Sequence, residues 1–309
     1  MCILRGQRVL RAGDGFHGII GCYLTVKDSM RTLVSALLAL LSLVAVAVGL
    51  ASLWVEQNLV DESGFVALAA PLGDDPAFQG ALVDSLVQDV TSDTGLPEQF
   101  TAFVEPLVRD AATAVTGSAG YPGAWDRTLR LSHDLTFAQA PDPSEPAPAV
   151  LSLDLAPVID LVTENISSGL GLEVPVPGST TIEVGSVPRG GTFSAVAEAV
   201  QGWPLHLAGA GILAVLALLV ARRRGITLAL LGLGVVLIGV AGSLLAGILP
   251  GIAVAAPGVD GVAEVFVRGL AEQAGTDLAA SSIPVVVGGL LATVLGIVVQ
   301  LVLGRRRRG

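Results

Sequence analysis

The chain of 309 residues is 52% hydrophobic and only 14% charged, with a mean hydropathy of +0.74. That excludes an ordinary soluble domain, which is about a quarter charged. The net charge of −10 argues against nucleic acid as a partner, because phosphate binding needs a cationic surface.

Residues 1–32 are polar, broken by glycine and without hydrophobic periodicity, which predicts a disordered cytoplasmic tail. Met30-Arg31 ahead of an apolar run reads as the natural start of a signal anchor, so residues 1–29 stand either as that tail or outside the translated chain. Both cysteines, Cys2 and Cys22, fall here, leaving the rest of the chain without a disulfide. Ile19-Ile20-Gly21-Cys22 resembles a lipobox, but the glycine-rich stretch before it is no apolar h-region, and lipidation is not expected.

Apolar runs over 33–55, 204–221, 226–249 and 283–303 each have about the 20 residues a helix needs to cross a hydrocarbon core of roughly 30 Å. Arg5, Arg8, Arg11, Lys27 and Arg31 precede the first run. Arg222, Arg223 and Arg224 separate the second from the third, and Arg305, Arg306, Arg307 and Arg308 follow the fourth. The positive-inside rule makes all three clusters topogenic. Both termini and the loop 222–225 are then cytoplasmic, with 304–309 a short tail, while 56–203 and 250–282 lie outside. Trp54 and Trp203 mark the outer ends of the first two runs, where indole favours the headgroup layer. Most acids fall in 56–203, so the outer face is acidic.

Segment 56–203 is long enough to bury its own core. Asp75-Pro76 supplies an N-cap and an N1 proline, after which Phe78, Leu82, Leu86 and Val90 recur every four residues. A second helix is expected after Pro97, with Phe100, Phe103 and Leu107 on one stripe. A third follows Tyr121-Pro122-Gly123 and carries Trp125, Arg130 and His133. The proline-rich 141–148 reads as an exposed linker. Alternation over 150–154 predicts a short strand, and Asp154 caps a helix containing Val158, Leu161, Val162 and Ile166. Thr180 to Val184 is a second strand that can pair with the first.

Three stretches carry a resemblance. Trp54-Val55 with Phe65-Val66-Ala67 and the run Ala70-Pro71-Leu72-Gly73-Asp74-Asp75-Pro76-Ala77-Phe78-Gln79 is one, Trp125 with Arg130 and His133 is another, and Leu151 to Asp160 is the third. Together they resemble a group of actinobacterial multi-pass membrane proteins of unknown function, over about residue 30 to the end. The resemblance implies a bacterial envelope protein and brings no activity with it. One lysine against sixteen arginines suits a GC-rich genome of that kind.

Chemical candidates are few. His133 stands near Arg130 and Asp134 on a helix, but a metal site needs about three or four converging ligands. It reads instead as a packed polar anchor beneath Trp125. No Asp-x-Asp-x-Asp-Gly loop and no Gly-x-Ser-x-Gly setting occurs, so neither cofactor, metal nor catalysis is expected. The centres of the four runs hold no ionisable residue, where pumps and ion-coupled transporters need them. They hold small residues at four-residue spacing, with Gly239 and Ser243 on one run and Gly288, Ala292 and Gly296 on another, which let helices approach closely.

Within 250–282, Val262, Phe266 and Leu270 form an apolar stripe opposite Glu264, Arg268 and Glu272. The polar face is not cationic enough for a membrane-surface helix, so packing on the larger domain is expected. The fold class is a membrane all-α protein of four transmembrane helices with a mainly α-helical extracytoplasmic domain carrying a small two-stranded β element. The expected role is binding, scaffolding or sensing without catalysis, in contact with the lipid bilayer and with another envelope protein or a second copy of the chain. A component of a transport or export system is the competing expectation.

Overall fold

The computed structural model describes residues 14–93, 106, 109–110, 113–137, 150–170, 181–186, 193–255 and 261–306. The expected helix after Pro97 and the linker 141–148 lie outside these residues, apart from Pro106 and 109–110. The elements in order are α1 (Asp14–Val55), a π turn (Glu56–Val60), α2 (Glu62–Ala69), a 3₁₀ turn (Ala70–Asp74), α3 (Pro76–Asp93), α4 (Tyr121–Phe137), β1 (Val150–Asp154), α5 (Ala156–Leu170), β2 (Thr181–Ser186), α6 (Phe193–Val200), α7 (Trp203–Val220), α8 (Arg224–Val254) and α9 (Gly261–Arg306).

Four helical stretches are long and apolar enough to cross a membrane, namely Met30–Val60, Phe193–Val220, Arg224–Ala253 and Val262–Val302. Their large apolar side chains face outward, with Leu205 78% and Leu244 68% exposed. An apolar surface of that kind is costly in water and is the ordinary state of a helix in lipid.

The helices differ from the expected spans at three places. The disordered tail expected over 1–32 is helical from Asp14 onward, since α1 begins there. No proline interrupts the stretch, and extending an existing helix adds one hydrogen bond per residue without a new nucleus, which outweighs the cost of Gly15, Gly18 and Gly21. The third helix does not stop at Leu249 but passes through Pro250 to Val254. The amphipathic helix and the fourth run, read as separate, form the single 46-residue α9 through Pro284. A proline inside a helix removes one hydrogen bond, and inside a membrane segment the freed groups find other partners.

The chain divides into two compact units. The first comprises Met1–Val48, Leu205–Ile238 and Pro284–Gly309. In it α1 and α7 are joined by two buried hydroxyls, Ser35 Oγ donating to Ala217 O and Ser42 Oγ to Ala210 O, both at 2.9 Å. On α8 and α9 the backbones nearly touch. A Cβ on Gly232 would meet Thr293 N at 2.5 Å, and one on Gly296 would meet Ala229 N at 2.4 Å.

The second unit comprises Gly49–Pro204 and Gly239–Ile283. Its helices start where capping chemistry dictates. Asp61 Oδ1 accepts from Gly64 N at 2.9 Å ahead of α2, and Asp75 Oδ1 accepts from Ala77 N at 2.7 Å ahead of α3, with Pro76 in the first turn. β1 and β2 pair antiparallel with a bulge between Leu151 and Ser152. The core gathers Phe65, Leu72, Phe78, Leu82, Trp125, Leu153 and Val158 with Val262 and Phe266 of α9. The amphipathic stripe thus enters the core, while Arg268 on the outer face pairs with Glu264 one turn back. Trp54 is held by Asp277, its Nε1 donating to Oδ2 at 2.8 Å.

Candidate functional site on the buried face of α4

Helix α4 begins at Tyr121 itself, one turn earlier than expected, and buries Tyr121, Ala124, Trp125, Thr128, Leu129, Ser132, His133 and Thr136. The three- and four-residue intervals put all of these on one face. Trp125 and His133 therefore share a side, and Arg130 lies on the other.

Trp125 sits in an aromatic group, its ring centroid 5.1 Å from that of Phe78 and 6.3 Å from that of Phe266, while Phe78 and Phe266 are 6.0 Å apart. Such tilted and edge-on pairs each add about 0.5–1.5 kcal/mol beyond area burial. The indole rests on Gly73, where no larger residue would fit without movement.

His133 does not lie beneath Trp125. It is two turns along, between Phe65 and Phe137, with ring centroids at 5.5 and 4.7 Å. Its Nε2 stands 2.9 Å from Val60 O in the π turn. A carbonyl only accepts, so Nε2 carries the proton that bridges the two. The helix is thereby tied to the end of the first membrane-length segment.

Arg130 is half-exposed and bridges Asp126 on its own helix, at 2.9 Å, and Glu62 at the start of α2. Both carboxylates hold its guanidinium pKa above the ordinary value, Asp126 first through its hydrogen bond. Asp61 is held below the usual carboxylate range, chiefly by hydrogen bonds from the Ser63 hydroxyl and the Gly64 N–H.

Asp154 works as a junction. Its Oδ1 accepts from Ala156 N at 2.9 Å at the entry to α5, and its own N–H donates to Ser132 Oγ at 2.8 Å. Ser132 in turn donates to Thr128 O at 2.6 Å. Sequence reasoning passed over Ser132 and Thr136, although their place on the stripe of Trp125 and Leu129 is legible as a polar interruption of an apolar face.

Four atoms on this face, Tyr121 Oη, Trp125 Nε1, Thr128 Oγ1 and His133 Nδ1, are buried without a hydrogen-bond partner among the described residues. Burial, and next the nearby Asp74, pushes the Tyr121 pKa up to about 12. No group of three His, Cys, Asp or Glu among the described residues stands close enough to hold a metal ion. Ser132 Oγ is spent on Thr128 O and His133 Nε2 on Val60 O, so the face makes a framework of fixed hydrogen bonds.

In the membrane-length helices the expected packing positions are partly displaced. Gly296 is buried against α8, but Gly288 faces open space and Ala292 is half-buried. Gly289, Thr293 and Gln300 take the contacts instead. Gly239 is buried and its O accepts from Ser243 Oγ at 3.2 Å within the same helix, leaving Ser243 itself exposed. Within the first unit close approach recurs at a spacing of seven residues, at Gly225 and Gly232 on α8 and at Gly289 and Gly296 on α9. A seven-residue repeat is the seam of left-handed helix pairs.

Arg222 and Arg223 form the bend before α8, Arg224 opens that helix, and all three are exposed. Arg305 and Arg306 close α9, while Arg307 and Arg308 lie outside the described residues. Comparison with known protein families, with curated proteins and with solved structures finds no match for this chain.

Proposed function

We propose that the chain is a non-enzymatic integral protein of the bacterial cell envelope, both termini cytoplasmic, whose extracytoplasmic domain binds, scaffolds or senses a partner. The observation that carries this reading is the double role of α9, which completes the domain core with Phe266 and runs on unbroken through the fourth membrane-length segment. A domain whose core includes the root of a span is built to couple what it binds to the membrane.

Orientation rests on the three arginine clusters and the acidic composition of 56–203. Transport is less well supported, since the first span's buried serines are committed to carbonyls and an ion path needs exchangeable polar groups. On the domain surface Leu131 and Leu135 are each more than 40% exposed on the outer face of α4, the natural place for a protein contact.

The test is photo-crosslinking in intact cells from full-length chains carrying a photoreactive side chain at Leu131 or Leu135. One reproducible adduct, lost on replacing the neighbouring leucine by Glu, is the expected result. Absence of any adduct at both positions, with the protein present at normal level in the membrane, overturns the reading.

A further inference from the structure

Between α1 and α8 runs a groove of about 640 Å³. Its walls are mostly apolar, from Ala36, Ala39 and Leu43 on one side to Ile226 and Leu230 on the other, with Thr32 and Thr227 also in the lining, and Arg222 and Arg223 stand at its mouth. Among the described residues its lining holds no Asp or Glu. Ser35, which also lines it, turns its hydroxyl to Ala217 O. The 31-residue α8 begins at this mouth, so the positive end of its dipole reinforces the arginines.

We propose that this groove is a binding site for one anionic phospholipid, phosphate at Arg222 and Arg223 and an acyl chain along Ala36, Ala39 and Leu43. The chemistry at the two ends matches that of an amphiphile. The small side chains of Ala36 and Ala39 leave room between helices that bulkier residues would fill, and lipid tails are the solvent at that depth. At the rim, guanidinium groups take phosphate oxygens bidentately, and basic pockets between spans suit acidic headgroups.

The site is tested with the full chain in mild detergent, by native mass spectrometry after adding dioleoyl phosphatidylglycerol or dioleoyl phosphatidylcholine. One phosphatidylglycerol retained at least tenfold more strongly than phosphatidylcholine is expected. Arg222→Gln with Arg223→Gln should abolish the preference. Because those arginines also orient the chain, Ala39→Phe serves as the second variant: it keeps every charge, fills the groove and should lower phosphatidylglycerol retention about tenfold with helicity unchanged. Equal retention of both lipids, unchanged retention in both variants, displacement of the lipid by millimolar inorganic phosphate, or a lipid-free dimer would each overturn the proposal.

Discussion

A Cβ built on Gly73 would stand 2.4 Å from Cδ1 and 2.8 Å from Nε1 of Trp125. Separations under 3 Å force movement, and Trp125 is boxed in by Phe78 and Phe266. Gly73→Ala is therefore expected to destabilise the domain by about 1–3 kcal/mol, the usual cost of overpacking. Thermal unfolding followed by circular dichroism on the full-length protein checks it, and an unchanged midpoint would show that the indole has room to shift.

Phe266 is 1% exposed and belongs to the core although it comes from the far end of the chain. Phe266→Ala should cost about 3–5 kcal/mol. A fragment of residues 56–203 lacks Val262, Ala263 and Phe266 altogether, so it should bind a hydrophobic dye and show loose packing, and adding a 261–272 peptide should reverse part of this. A fragment with a sharp cooperative transition and no dye binding would count against the shared core.

The two neighbouring glycines of α9 should respond in opposite ways. Gly289 meets Val236 N at 2.7 Å from its would-be Cβ, whereas Gly288 has nothing within 4 Å. Gly289→Leu is expected to lower the thermal stability of the reconstituted protein strongly, and Gly288→Leu to leave it within a degree or two of wild type. Equal loss for both would place the seam elsewhere.

Ser35 and Ser42 each donate to a carbonyl of α7. Hydrogen bonds between membrane helices average about 0.6 kcal/mol and reach about 1.7, so Ser42→Ala should cost a fraction of a kcal/mol. Ser42→Leu should cost several times more, because the side chain must fit against buried Ala210. Unfolding in a graded detergent series reads both, and a leucine variant as stable as the alanine one would exclude a tight α1–α7 contact.

Tyr121 has its pKa raised to about 12 by burial. A group whose folded pKa lies above its ordinary value near 10 contributes stability that is fully present below pH 10 and is lost as pH rises toward 12. The chain has two tyrosines, so a Tyr23→Phe background isolates Tyr121 in an absorbance titration at alkaline pH. Tyrosinate appearing only near 12, together with unfolding, is expected, and a midpoint at 10 with the fold intact would mean that the ring is open to solvent.

What was legible in the sequence was whatever local chemistry decides. The cap at Asp75-Pro76, the stripe of Phe78 and Leu82, the helix after Asp154 and the four apolar lengths follow from propensity, capping and period alone. What was not legible depends on a partner the sequence does not name. Gly288 and Gly289 look alike in the chain, and only the facing Gly232 and Val236 decide which is buried. Proline at 250 and at 284 signals a break by propensity, but tertiary packing and the membrane setting override it. At the candidate site the helix bearing Trp125, Arg130 and His133 was readable. The link from Ser132 to Asp154 was not, because it joins groups on separate elements.

The contribution of α9 to the domain core sets an order on biosynthesis. Trp125 and Phe78 leave the ribosome early, but the ring that closes their group leaves only after the second and third membrane-length helices have been made. Until then the domain waits with an open core, exposed to proteases and chaperones. A truncated or stalled chain can never finish it. The fold thus carries its own check that synthesis has passed Phe266, and the half-life of nascent chains cut before Val262 should be correspondingly short.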